Sequence, residues 1–179
     1  FKFIEEGNGE TLILLHGLFG ALSNFKDLIE HFRQTHKVVV PMLPLLDLDL
    51  LHTSVSGLQK YVHKFIEHRK YDRIHLLGNS LGGHVGFTNN RMKVIKIIAL
   101  AKSAIRNNLG EELNQIKQPT CLIWGKNDTI TPPFVGEEFK KLIPNSELHF
   151  IDKCGHAPMM EVPLAFNDIL SGFLSRNKG

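Results

Sequence analysis

Gly78-Asn79-Ser80-Leu81-Gly82-Gly83 follows directly on the apolar run Ile74-His75-Leu76-Leu77, and the reading of this stretch decides the fold. It predicts a strand, a sharp turn carrying a serine, and a helix that begins at Leu81. A nucleophilic serine needs this spacing: the turn lifts its Oγ clear of the sheet, and only glycines let the neighbouring backbone pass so closely. On its own the pattern is also that of a Gly/Ser-rich turn, so its surroundings decide.

Three further segments supply those surroundings, each at the end of an apolar run. Leu12-Ile13-Leu14-Leu15 leads into His16-Gly17-Leu18-Phe19-Gly20, Cys121-Leu122-Ile123-Trp124 into Gly125-Lys126-Asn127-Asp128, and Leu148-His149-Phe150-Ile151 into Asp152-Lys153-Cys154-Gly155-His156. The order Ser80, Asp128, His156 is that of one class of serine hydrolase and differs from the orders in others. Through H-G-x-x-G, G-x-S-x-G-G, W-G-x-x-D-x-x-x-P and G-H-x-P-x-x-E-x-P, the chain resembles the α/β-hydrolase superfamily. The wording Gly-Asn-Ser-x-Gly-Gly is similar to the branch that hydrolyses carbon–carbon bonds in ring-cleavage products. Those enzymes commonly carry tryptophan after the histidine, whereas Ala157 and Pro158 stand here.

The 179 residues, 42% hydrophobic and 22% charged, suit one globular domain spanning residues 1–179. The net charge of +3 comes from scattered Lys and Arg, so no nucleic-acid partner is expected. Two unpatterned cysteines imply free thiols in a reducing compartment, hence a cytoplasmic setting. No membrane span or signal peptide is visible. No H-E-x-x-H, C-x-x-C, G-x-G-x-x-G or P-loop occurs, so neither a metal nor a nucleotide cofactor is expected. No motif speaks to oligomeric state.

Strands alternate with helical patterns, which predicts a doubly wound, mostly parallel α/β sheet with function at the carboxyl ends of its strands. Phe1–Glu6 and Thr11–His16 read as neighbouring strands joined by Gly7-Asn8-Gly9. Ser23 caps a helix with Phe25, Leu28, Ile29 and Phe32 on one face, and Val38–Val40 is the next strand. Ser54 opens a helix facing inward with Val55, Leu58, Val62, Phe65 and Ile66.

Only 48 positions separate Ser80 from Asp128, whereas a β-α-β unit takes roughly 30 residues or more and the family places two crossovers there, often with an inserted lid. A break near Phe87–Asn89 is therefore expected, with the lid and one core strand absent and residues 89–117 the remnant of a lid and its return. Residues 92–105 fit a lid helix, with Val94, Ile98, Ala101 and Ile105 on one face, or a buried strand from Val94 to Ala101. The helix is preferred.

The resemblance implies Ser80 as nucleophile, His156 as base and Asp128 as its partner, with Asp152, Asp47 and Asp49 as rivals for the acid. It implies an oxyanion hole from the backbone N–H groups of Leu18 and Leu81, and a bracing role for His16. Phe19, Asn79 and Met159 are candidate pocket residues; for Phe19 and Met159 an ordinary core role competes. The function expected on these grounds is hydrolysis of carboxylic esters of a small molecule through an acyl-enzyme. Carbon–carbon bond hydrolysis in diketone-like acids is one alternative, and a slowly turning-over small-molecule receptor the other.

Overall fold

The computed structural model describes residues 1–17, 22–44, 55–71, 73–88, 94–100 and 113–177. The chain forms strands β1 (Phe3–Glu6), β2 (Glu10–Leu15) and β3 (His36–Pro41), with a 3-10 turn (Leu22–Phe25) and helix α1 (Lys26–Phe32) between the last two. Helix α2 (Val55–Arg69), β4 (Ile74–Asn79), α3 (Leu81–Thr88) and β5 (Val94–Leu100) follow. Beyond them lie β6 (Thr120–Gly125), α4 (Pro133–Leu142), β7 (Ser146–Ile151), the short α5 (Pro158–Glu161) and α6 (Pro163–Arg176).

The seven strands make one sheet in the order β1-β3-β2-β4-β5-β6-β7, parallel throughout except for the β1–β3 pair. Every residue of β4 and of β6 is buried, as are Leu12 to Leu15 of β2. Such wholly buried, mostly apolar runs belong to parallel strands covered on both faces. From β2 the chain steps outward to β3, then returns past β2 to β4 and continues the other way. Right-handed crossovers then require α1 and α2 to lie on opposite faces. In agreement, α1 packs with α6, and α2 packs with α3.

Two expectations about the strands change. Gly7-Asn8-Gly9 does not join paired strands: β3 lies between β1 and β2, with Phe3 opposite Pro41. The turn runs against the backbone leading into β3, where a Cβ on Gly7 would fall 2.4 Å from the carbonyl oxygens of Arg33 and His36. Gly7 and Gly9 also have φ of 81° and 114°, which side-chain-bearing residues rarely adopt. The second change is in residues 92–105. The preferred helix is replaced by the strand, β5, which pairs with β4 on one side and β6 on the other. β5 thus fills the sheet between the serine strand and the Asp128 strand, where the spacing had left room for an absent one. Of the expected break at Phe87–Asn89, Phe87 and Thr88 end α3, whereas Asn89 and most of the proposed lid remnant lie outside the described residues.

The apolar face read for α1 is present, with Phe25, Leu28, Ile29 and Phe32 buried, but Ser23 lies in the 3-10 turn and Phe25 takes the cap position without a side-chain hydrogen bond. In α2, Leu58, Val62, Phe65 and Ile66 are buried as expected.

Candidate active site

The strand order reverses its direction of travel between β2 and β4, and a crevice at the carboxyl ends of those two strands is where open α/β sheets bind ligands. Ser80 follows β4 and His16-Gly17 follows β2. The two chain segments touch there, since a Cβ built on Gly17 would lie 3.2 Å from the Ser80 Cβ.

Ser80 has φ of 55°, a left-handed conformation that costs a non-glycine residue energy and marks a site where the surroundings hold the backbone in place. The glycines around it show what does the holding. A Cβ on Gly82 would meet the Leu15 carbonyl oxygen at 2.0 Å, and one on Gly78 would meet Gly82 and Gly83 backbone at 2.4 Å. The start of α3 is therefore pressed onto the end of β2, and the Leu81 N–H belongs to the first turn of that helix.

His16 is buried and braces this corner. Its Nε2 accepts the Leu43 N–H at 3.1 Å, so its proton sits on Nδ1, which donates to the Gly17 carbonyl at 2.9 Å. Asn79 is buried beside Ser80, and its Nδ2 finds no hydrogen-bond partner among the described residues.

Asp128 and His156 leave the neighbouring strands β6 and β7 and meet. The His156 Nδ1–H donates to Asp128 Oδ2 at 2.8 Å, because a carboxylate can only accept. Asp128 is buried; its other oxygen, Oδ1, accepts the backbone N–H groups of Ile130 and Thr131, both at 2.8 Å. The Thr131 hydroxyl lies 3.1 Å from His156 Nδ1, and the Thr131 carbonyl accepts the Trp124 indole N–H at 2.7 Å. The histidine loop is folded over the end of β6. Asn127 N–H donates to the Cys154 carbonyl, and only a glycine fits at 125, where a Cβ would fall 2.1 Å from the Gly155 oxygen. After His156, α5 packs against the 3-10 turn that follows the Gly17 segment, which draws the two halves of the site together.

Asp152, the nearest rival acid, is exposed and pairs with Lys126 at 2.7 Å. Asp47, Asp49, Leu18 and Phe19 lie outside the described residues. Met159 is buried in the main core, while Met160 is exposed. Cys154 is buried two residues before His156; that burial, with the Glu161 and Asp128 carboxylates nearby, raises its thiol to about 11 and keeps it protonated. Sequence reasoning missed Thr131, which fixes both partners of the Asp128–His156 pair. The signal was there in Asp128-x-x-Thr131, the spacing at which an aspartate accepts backbone N–H groups ahead of it.

An alpha/beta hydrolase fold family model matches residues 85–163. MGS-MChE2, an alpha/beta hydrolase enzyme from the metagenome of lagoon sediments at Mar Chica, Morocco, is 38% identical; the alignment covers 99% of this chain and 95% of that one, with a TM-score of 0.93. The chain belongs to the α/β-hydrolase family.

Among curated proteins it is similar to a 2-hydroxy-6-oxononadienedioate/2-hydroxy-6-oxononatrienedioate hydrolase of Paraburkholderia phymatum, 39% identical over 67 residues, which are 37% of this chain and 23% of that protein. The same name recurs among further bacterial relatives. A pimeloyl-[acyl-carrier protein] methyl ester esterase of Nitrosomonas europaea is 40% identical over 60 residues, 34% of this chain and 24% of that protein. The matched stretches span about a quarter of these relatives. The expectation of a carboxylic-ester hydrolase is corrected by the recurring relatives, which are named for hydroxy-oxo dioates and not for esters. Among the described residues no helix is long and apolar enough to cross a membrane.

Proposed function

We propose that the protein hydrolyses a carbon–carbon bond in a small hydroxy-oxo acid of the diketone type, with Ser80, His156 and Asp128 as its catalytic residues. The observation that carries this reading is the run of relatives named for 2-hydroxy-6-oxononadienedioate. Such a molecule holds two carboxylates, a hydroxyl and a ketone but no ester, so water can split it only at carbon.

The geometry supports the chemistry that this requires. With its Nδ1 proton engaged by Asp128, His156 presents Nε2 as the base. Ser80, its proton taken by His156, attacks the ketone carbon, and the carbonyl oxygen becomes an oxyanion. The N–H groups of Leu81 and Leu18 are assigned to that oxygen; a donor so placed is worth about 3–4 kcal/mol in the transition state. Collapse breaks the carbon–carbon bond. This requires the keto tautomer, in which the proton of the 2-hydroxyl has moved to C5. The electron pair of the broken C5–C6 bond stays on C5, is delocalised through the C3–C4 double bond into the new C2 carbonyl as a dienolate, and takes the proton from the His156 imidazolium. Water deprotonated by His156 then releases the acid from Ser80. Asn79 and Phe19 are assigned to the substrate pocket. A reducing, cytoplasmic setting goes with the two buried free thiols.

The test is bleaching of the conjugated chromophore of 2-hydroxy-6-oxononadienedioate by the wild-type protein and by Ser80→Ala, alongside a panel of methyl esters. Multiple turnover of the dioate, lost in Ser80→Ala, is the expected result. Turnover of methyl esters with an untouched dioate would overturn the reading.

A further inference from the structure

At the opposite end of the sheet from Ser80, three side chains from the starts of three adjacent strands converge. Glu10 opens β2 and is in register with His36, which opens β3. His75 lies near the start of β4, in register with Leu12, two residues along β2 from Glu10. Residues in register on parallel strands share a face, as do residues two apart on one strand. Glu10, His36 and His75 therefore project from one face of the sheet, and one ligand-capable atom from each lies within 4.8 Å of the others.

We propose that Glu10, His36 and His75 bind a divalent first-row transition ion of the Zn²⁺ class. Two imidazoles and a carboxylate make a donor set suited to such an ion, which takes nitrogen at about 2.0–2.1 Å and carboxylate oxygen at about 2.0–2.2 Å. His75 Nε2 and the Glu10 carboxylate already stand 2.9 Å apart as a hydrogen-bonded pair, so they need separate by only about 0.4–0.5 Å to share one tetrahedral ion. The Thr35 hydroxyl is 2.8 Å from His36 Nδ1, a contact that fixes the orientation of that ring as outer partners of ligating histidines do. All three ligands stand on hydrogen-bonded strands, so little ordering is needed on binding. Entry is open, because Glu10 and His36 line a cavity of about 770 Å³ together with Glu30, His31 and Thr35. That cavity leaves room for water in the fourth position and adds a carboxylate to attract the cation.

A second cluster, Cys121, Glu147 and His149, has similar spacing but is committed elsewhere. Both Glu147 oxygens are held by Arg176, at 2.8 and 3.0 Å, and one also by His149 at 3.0 Å. Burial raises the Cys121 thiol far above its ordinary range, against the proton loss that a metal thiolate needs.

Chelator-stripped protein titrated with Zn²⁺ against a chromophoric zinc chelator, and separately with Co²⁺ followed by visible absorption, tests the site. Wild type is expected to take up one equivalent, with the ligand-field bands of low-coordinate Co²⁺. Glu10→Gln and His36→Gln are each expected to weaken uptake at least tenfold, while His149→Ala and Ser80→Ala leave it unchanged. Glu10 and His36 are only half-buried, so both variants are expected to keep the wild-type circular dichroism spectrum. Absence of stoichiometric uptake, uptake insensitive to both Glu10→Gln and His36→Gln, or loss in His149→Ala instead, would overturn the assignment.

Discussion

The Glu161 carboxylate grips the backbone on both sides of His156, accepting the Gly155 N–H at 2.7 Å and the Ala157 N–H at 2.9 Å. The histidine is thus held by its side chain through Asp128 and by its backbone through Glu161. Glu161→Ala should lower turnover about 10- to 100-fold through misplacement of the imidazole. Because Glu161 is exposed, the stability loss should stay within about 1 kcal/mol. Steady-state kinetics beside urea unfolding separates the two effects, and a larger loss of stability than of turnover would contradict this role.

Asp128→Asn should keep the fold and lose the reactivity of Ser80. One amide oxygen can still accept the Ile130 and Thr131 N–H groups, which turns the NH2 toward His156 Nδ1. A donor there drives the imidazole proton to Nε2, the atom that must be a base, and such a tautomer error costs about 10⁴-fold in the well-studied triad. The rate of fluorophosphonate labelling, followed by intact mass, reads this without assuming a substrate. Unchanged labelling would remove Asp128 from the mechanism.

Both Ser80→Ala and Ser80→Gly should be inactive, but they should differ in stability. Alanine keeps the strain of a φ of 55° and glycine relieves it, so the glycine variant should be the more stable by about 1 kcal/mol. Equal denaturation midpoints would mean that no strain is stored at the turn.

Two glycine-to-alanine changes should move stability in opposite directions. Gly82→Ala places a methyl 2.0 Å from the Leu15 carbonyl oxygen, where neither backbone can give, and should abolish folding or cost more than about 4 kcal/mol. Gly172→Ala sits within α6 and meets only the flexible end of Arg176 at 3.2 Å, so it should add about 0.5–1 kcal/mol by helix propensity. Thermal unfolding of the pair is the measurement.

Alkaline pH should unfold the protein through Tyr71. Burial, and then the hydrogen bond its hydroxyl donates to Glu5 at 2.6 Å, raise its pKa to about 12. The unfolded phenol ionises near 10, so between pH 10 and about 12 the folded state holds the extra proton and stability falls as pH rises. Tyr71→Phe should flatten that decline in urea midpoints taken across this range. The other tyrosine, Tyr61, is also raised by burial, so native phenolate absorbance should appear late.

The parts of this architecture that were legible from sequence are those in which chemistry restricts residue type. Gly78 and Gly82 are glycines because backbone passes through the space of their side chains, and the serine between them is therefore visible as a nucleophile candidate. Residues 94–100 were ambiguous because a central parallel strand carries no strict alternation, and a mostly apolar run, broken only by Lys96, also fits a buried helix. The position of β1 was hidden because Gly7-Asn8-Gly9 serves equally for a hairpin and for a chain that skips one strand. Substrate class was not legible at Ser80, since the same turn serves attack on an ester or a ketone; the proposed class rests on likeness to the dioate hydrolases.

The place of β2 between β3 and β4 has a consequence for synthesis. Its Leu12–Leu15 edge can dock β3 once Pro41 has emerged from the ribosome, but its other edge waits for Ile74, 33 positions later. Over that interval a strand with four successive apolar residues, Leu12 to Leu15, stands with one row of peptide groups unpaired, the arrangement most prone to recruit a strand from another chain. Chaperones that hold extended apolar segments are needed most while α2 is emerging from the ribosome, until β4 follows it and closes the edge.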